Sequence, residues 1–146
     1  MSAAGRDQDG SATVEFVLFA MVVLVPFTYL LLVVFDVQRA AYGSTEAARE
    51  GARAFVTSAS GASARGRIQA AVALALGDQG LDTHAAHVTW ACSANPCLTP
   101  GATVIVRVED VVTLPWVPSV LGRPAASVLV SAAHVESVDV YSPIRP

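Results

Sequence analysis

Polar and apolar positions divide the chain into stretches of different periodicity. From Phe16 to Phe35 there are twenty consecutive residues without a charge. At helical rise such a run covers about 30 Å, the thickness of a bilayer hydrocarbon core, and it predicts a transmembrane helix. Pro26 removes one backbone hydrogen bond inside it, so a kink is expected there, compensated by the Thr28 hydroxyl or by a neighbouring helix. The run exceeds the apolar region of a cleaved secretory signal and no Ala-x-Ala site follows it closely, which favours an uncleaved anchor. The helical period continues past Asp36 to about Phe55, without proline. On a wheel of about 100° per residue, Arg39, Tyr42, Glu46, Arg49, Glu50 and Arg53 share one arc. Glu46 with Arg49, and Glu50 with Arg53, stand at i,i+3. Ala40, Ala41, Gly43, Ser44, Ala47, Ala48, Gly51 and Ala52 fill the other side. A face of such small side chains lets another backbone come close. It has two uses, packing on the protein's own sheet or on copies and relatives in a helical assembly, and both stay open.

Residues 58–63, Ser-Ala-Ser-Gly-Ala-Ser, read as a break. Arg65 to Leu76 predicts a shorter helix ending at Gly77, with Ile68, Ala71, Val72 and Ala75 on one side, and Gly77 to Gly80 a turn. Beyond it the pattern alternates. Ala86 to Cys92 predicts a strand with Val88 and Trp90 on one face. Ala102 to Leu114 predicts a second, Val104, Val106 and Val108 facing one way and Ile105, Arg107 and Glu109 the other. Pro100-Gly101 marks the turn before it. Pro115, Pro118, Gly122 and Pro124 define a loop holding Trp116, and Ser127 to Val140 a last strand bent near His134. A helix followed by strands on short turns gives an α+β class: a long N-terminal helix continuing into a small domain with a short helix and a three-stranded antiparallel sheet. The expected divisions are residues 1–10, 11–57 and 64–146.

Charge and candidate chemistry narrow the function. The net charge is −3 and all nine cationic residues are arginine, with no cluster denser than Arg65/Arg67, so the chain lacks the basic face that nucleic acid requires. Cys92 and Cys97 flank Ser-Ala-Asn-Pro, which suits a small disulfide loop in an oxidising compartment. A zinc set with His84 and His87 is the alternative, although neither spacing matches the usual pattern. There is no Gly-x-Ser-x-Gly elbow, phosphate-cradling glycine loop or His-Glu-x-x-His, and no cofactor is implied. His84, His87 and His134 read as surface or strand residues. Asp78, Asp82, Glu109 and Asp110 read as turn or solvated-strand residues, and Trp90 and Trp116 as core.

The informative spacing lies at the mouth of the apolar run, where Gly10 is followed five residues later by Glu15. A carboxylate is costly beside hydrocarbon, on the order of 2.5–3.5 kcal/mol at a span's centre and less near its end, so one kept there usually has a partner. Gly10, Ser11 to Val14, then Glu15 and Phe16-Val17-Leu18-Phe19 resemble the prepilin peptidase site of type IV pilins and pseudopilins. Ala12-Thr13-Val14-Glu15-Phe16, Ala47-Ala48-Arg49-Glu50-Gly51-Ala52-Arg53, Pro100-Gly101-Ala102-Thr103-Val104 and Ala133-His134-Val135-Glu136-Ser137-Val138-Asp139 are similar to TadE-like proteins of Tad/Flp pilus systems. That resemblance implies a pilin-like domain, removal of residues 1–10 by a prepilin peptidase, and Ser11 as the new N-terminus. Ser11 stands where many major pilins carry Phe or Met. It implies that Glu15 pairs with the α-amino group of a neighbouring subunit. The partners are then the bilayer, other pilin-like subunits and the assembly platform, and the setting is a bacterial cell membrane with the C-terminal domain extracytoplasmic. It implies no enzyme activity. Against that orientation, Arg6 precedes the span while Arg39, Arg49 and Arg53 follow it, which by the positive-inside tendency places the C-terminal part in the cytoplasm. A single-pass membrane-anchored extracytoplasmic binding or sensor domain, for which Gly10 and Glu15 are incidental, is the other reading.

Overall fold

A computed structural model describes residues 9–114 and 127–143, with side chains from Ala12 onward. Trp116 and its proline-rich loop lie outside the described residues. The elements run α1 (Asp9–Val56), α2 (Gly61–Asp78), β1 (His87–Cys92), β2 (Thr103–Thr113) and β3 (Ser127–Ser137), an α+β arrangement. Two compact units meet in sequence at Phe35 and Asp36.

The described part of the first unit is helical, and the helix continues through Pro26. Its apolar side chains are exposed on every side: Phe16 is 71% exposed and Val25 65%. A helix that is apolar all round belongs inside other apolar matter rather than on a wet surface. This helix is long and apolar enough to cross a membrane.

The second unit is built on the small-residue face of α1. Ala40, Ser44, Ala47, Ala48 and Ala52 are fully buried, and Gly43 and Gly51 are buried with them. Ala41, expected on the same side, is exposed. It lies at the margin of the face, where its carbonyl accepts the Thr45 hydroxyl at 2.8 Å. A Cβ on Gly51 would meet Val72 of α2 at 3.1 Å and Val106 of β2 at 3.5 Å, so both elements close on α1 at this point. Ala64, Ile68, Val72, Ala75 and Leu76 form the buried side of α2. Ala71 is half-buried.

α2 begins four residues before Arg65, because Ser60 and Ser63 form a reciprocal capping box. The Ser63 N–H donates to Ser60 Oγ at 3.3 Å and the Ser60 N–H donates to Ser63 Oγ at 3.1 Å. Two orphan donors are thereby satisfied, and four residues, Thr57 to Ser60, separate the helices. At the other end, Gly80 takes φ +66° and the Leu81 N–H reaches back to the Leu76 carbonyl at 3.0 Å, the left-handed closure for which glycine is preferred.

The sheet is antiparallel in the order β1-β2-β3. Val88 pairs with Val108 and Trp90 with Val106, while Val106 pairs with His134 and Val108 with Ala132. Val104, Val106 and Val108 are fully buried against the helices. Asp110 departs from its expected solvated position: it continues that inner row and is 4% exposed, with its carboxylate accepting the Val111 N–H at 2.9 Å. β3 stops three residues short of Val140, because Asp139 turns the chain by accepting the Tyr141 N–H on Oδ1 and the Ser142 N–H on its carbonyl.

Replacing Gly51 with leucine should cost roughly 1–3 kcal/mol by overpacking against Val72 and Val106. Gly66 has nothing within 4 Å of a notional Cβ, so Gly66→Ala in the same assay should gain on the order of 0.5–1 kcal/mol. Denaturant unfolding of the detergent-solubilised protein measures both. Equal effects would contradict the packing described.

Candidate functional site

The Gly10–Ser11 peptide bond lies in the first turn of α1, which starts at Asp9. Glycine is the weakest helix former after proline, so this turn is the easiest part of the helix to open. Glu15 follows Ser11 by four residues, one helical turn and about 6 Å of rise. Its side chain is exposed, and among the described residues it makes no hydrogen bond or ion pair. Its immediate surroundings are exposed apolar groups, Val14, Phe16 and Phe19 among them. Glu15 stands in the second turn of α1, where the helix dipole has fallen off and does little to offset the cost of a carboxylate facing hydrocarbon.

The small-residue face resolves differently. Of its two possible uses, packing on the protein's own domain is the one realised from Ala40 to Ala52, because those side chains are covered by α2, the sheet and the segment after α2. A Cβ at Gly43 would fall 2.6 Å from the tip of Leu81. The Ser44 hydroxyl, fully buried, has no hydrogen-bond partner among the described residues. The opposite arc is open: Arg39, Tyr42, Glu46, Arg49 and Arg53 are exposed and Glu50 is half-buried. Arg39 pairs with Asp36 at 3.2 Å.

Cys92 and Cys97 form a disulfide. They therefore offer no thiolates to a metal, and His84 and His87 are exposed on a turn and on the outer sheet face. Among the described residues no three His, Cys, Asp or Glu side chains come together as a metal set. Leu98, next to Cys97 in sequence, is 1% exposed and belongs to the core. Trp90 packs half-buried against the core and the Arg65 guanidinium stands over its ring at 5.7 Å, a cation–π contact. His134 contacts Glu136 at 3.3 Å on the same face of β3.

Two depressions mark the second unit. One, of about 280 Å³, lies between α1 and α2 and takes its polar lining from Glu46, Glu50, Asp78 and Gln79. The other, of about 180 Å³, places the buried Asp110 near Asp36, Arg39 and Asp82. Asp110 was not legible as a lining residue, because at the end of an alternating strand an acid normally reads as solvated. The register that puts Val104, Val106 and Val108 inside is the signal that could have found it.

Comparisons with protein-family models, with characterised proteins and with solved structures return no match for this chain.

Replacing both Cys92 and Cys97 with serine should lower stability by about 2 kcal/mol, the loop-closure value for so short a ring. The shift of the denaturant midpoint reads this, and an unchanged midpoint would deny the loop its structural role.

Proposed function

We propose that this chain is a structural subunit of the TadE-like kind, a minor pilin or pseudopilin of a Tad/Flp-type pilus or related secretion machine. It is anchored by α1, processed after Gly10 and assembled through its N-terminal helix. The observation that carries the reading is Glu15: an exposed carboxylate, unpartnered among the described residues, at the start of a helix that is apolar all round. Such a group is stable beside hydrocarbon only when a cation meets it. Hydrolysis of the Gly10–Ser11 bond supplies one, the new α-amino group of Ser11. That amine lies one turn from the Glu15 of its own chain, so a neighbour stacked with a small stagger brings its amine to the same level. Pairing then neutralises both charges and sets the stagger between subunits.

The disulfide supports an extracytoplasmic C-terminal domain, since the cytosol keeps thiols reduced. Internal use of the small-residue face favours assembly contacts on the N-terminal turns and on the charged arc of α1. The second reading is a single-pass anchored extracytoplasmic binding or sensor domain, for which the span is needed and Gly10 and Glu15 are incidental. Arg39, Arg49 and Arg53 after the span run against the orientation of both readings. In that reading α1 is only a tether.

Mass spectrometry of the protein recovered from membranes separates the two. A chain beginning at Ser11 is expected, and one retaining Met1 to Gly10 in cells with an active prepilin peptidase supports the tether. Glu15→Val should insert normally yet co-purify with other pilin-like subunits at least about tenfold less, because leaving one member of a buried ion pair alone costs roughly 3–5 kcal/mol. Undiminished co-purification would remove the proposed pairing.

A further inference from the structure

Among the described residues β3 is an edge strand. Val138, just past it, donates its N–H to the Ala102 carbonyl at 2.8 Å and accepts the Gly101 N–H at 3.0 Å, so its polar backbone groups point toward β2. Backbone direction alternates along an antiparallel strand. His134 and Glu136 therefore also bond toward β2, while Leu129, Ser131, Ala133, Val135 and Ser137 turn their N–H and C=O groups to the open side. Among the described residues no strand takes those groups. The edge is eleven residues long and contains no proline, lysine or arginine, three of the devices that usually keep edges from pairing. Its one acidic residue, Glu136, is on the inner row beside His134, which it contacts. β1, at the other edge, is protected by its brevity, at six residues.

We propose that this edge pairs with β3 of a second copy, antiparallel, about a two-fold axis through Val135. The sequence around that point is complementary to itself: Ala133-His134-Val135-Glu136-Ser137. With the axis at Val135, His134 of each copy stands opposite Glu136 of the other, Ala133 stands opposite Ser137, and Val135 meets its own equivalent. The imidazole and carboxylate that already touch within one strand at 3.3 Å thus form a four-membered cluster across the junction. An axis at His134 sets imidazole against imidazole, and one at Glu136 sets carboxylate against carboxylate, which is destabilising for directly opposed like charges. An axis at Ala133 places Glu136 opposite Val130. Only the Val135 axis both sets each imidazole opposite a carboxylate and uses outward backbone groups as a hydrogen-bonded pair.

The outer face of the sheet agrees with this choice. Ala91, Ile105 and Val135 form one cross-strand row, and Val135 is 57% exposed within it. Pairing at Val135 continues that row into its mirror in the second copy, so apolar groups that are half wet in one chain lie side by side in two. The inference is independent of Gly10 and Glu15 and holds for an anchored domain as well as for a pilus subunit.

Cysteine cross-linking of the full chain in native membranes tests it. With Val135→Cys, the two introduced Cα atoms lie about 5.5 Å apart, within disulfide range, and mild oxidation should convert most of the protein to covalent dimer. With Leu129→Cys the equivalents lie roughly 40 Å apart along the paired strands, and dimer should be at least tenfold scarcer. Adding His134→Glu to Val135→Cys should cut dimer about fivefold or more, and the further change Glu136→His should restore it. A closed Cys92–Cys97 disulfide in each variant reports that the domain has folded. Absence of dimer at Val135→Cys, equal dimer at Leu129→Cys, or indifference to the charge exchange each overturns the proposal.

Discussion

The second unit depends on how closely α1 lets its neighbours approach. From Ala40 to Ala52 its inward positions carry nothing larger than alanine or serine, and two are glycine. Small side chains contribute little burial of their own, since apolar stabilisation scales with area removed from water. Their value lies in what they admit. Val72, Ile68 and Val106 reach the helix backbone at Gly51, and Leu81 does so at Gly43. The larger side chains are therefore supplied by α2 and the sheet, and α1 supplies the groove. A bulky residue in that row would push α2 and the sheet away together, so the constraint acts on the whole core rather than at one contact.

Because this face is occupied internally, α1 presents two different surfaces to anything outside the chain: apolar turns before Asp36 and a charged arc after it. These suit different environments, hydrocarbon for the first and water or polar partners for the second. None of the residues that form the core of the second unit lies on either surface.

Much of this was readable from periodicity. The change from a helical to an alternating pattern after Gly80 located the sheet, and the Val104, Val106, Val108 row named its inner face. The turn of small residues after α1 was harder, because serine, glycine and alanine signal a break and a capped helix start equally well, and only the Ser60–Ser63 pairing distinguishes them. Asp110 was misread for a related reason: strand periodicity says which face a residue is on, while its charge argued for water, and the register prevailed. Ala41 shows the limit of a wheel, whose edges shift when the covering elements are narrower than the stripe. At the N-terminal end the order is reversed. Gly10 and Glu15 stand out by spacing alone, and the coordinates add the exposure of Glu15 and the helical turn that separates it from Ser11.

The unequal lengths of the strands have a mechanical consequence. β1 pairs with β2 only from Cys92 to His87, opposite Val104 to Glu109, whereas β3 accompanies β2 as far as Thr113. Among the described residues the sheet is two-stranded from Asp110 onward, and a two-stranded ribbon twists more strongly than a three-stranded one. Among the described residues, the outer side of this ribbon has fewer covering neighbours than the three-stranded part, and lower local protection goes with that. The disulfide-tied end at Cys92 and the Val138 rung behave as the fixed root of a lever whose tip is the ribbon.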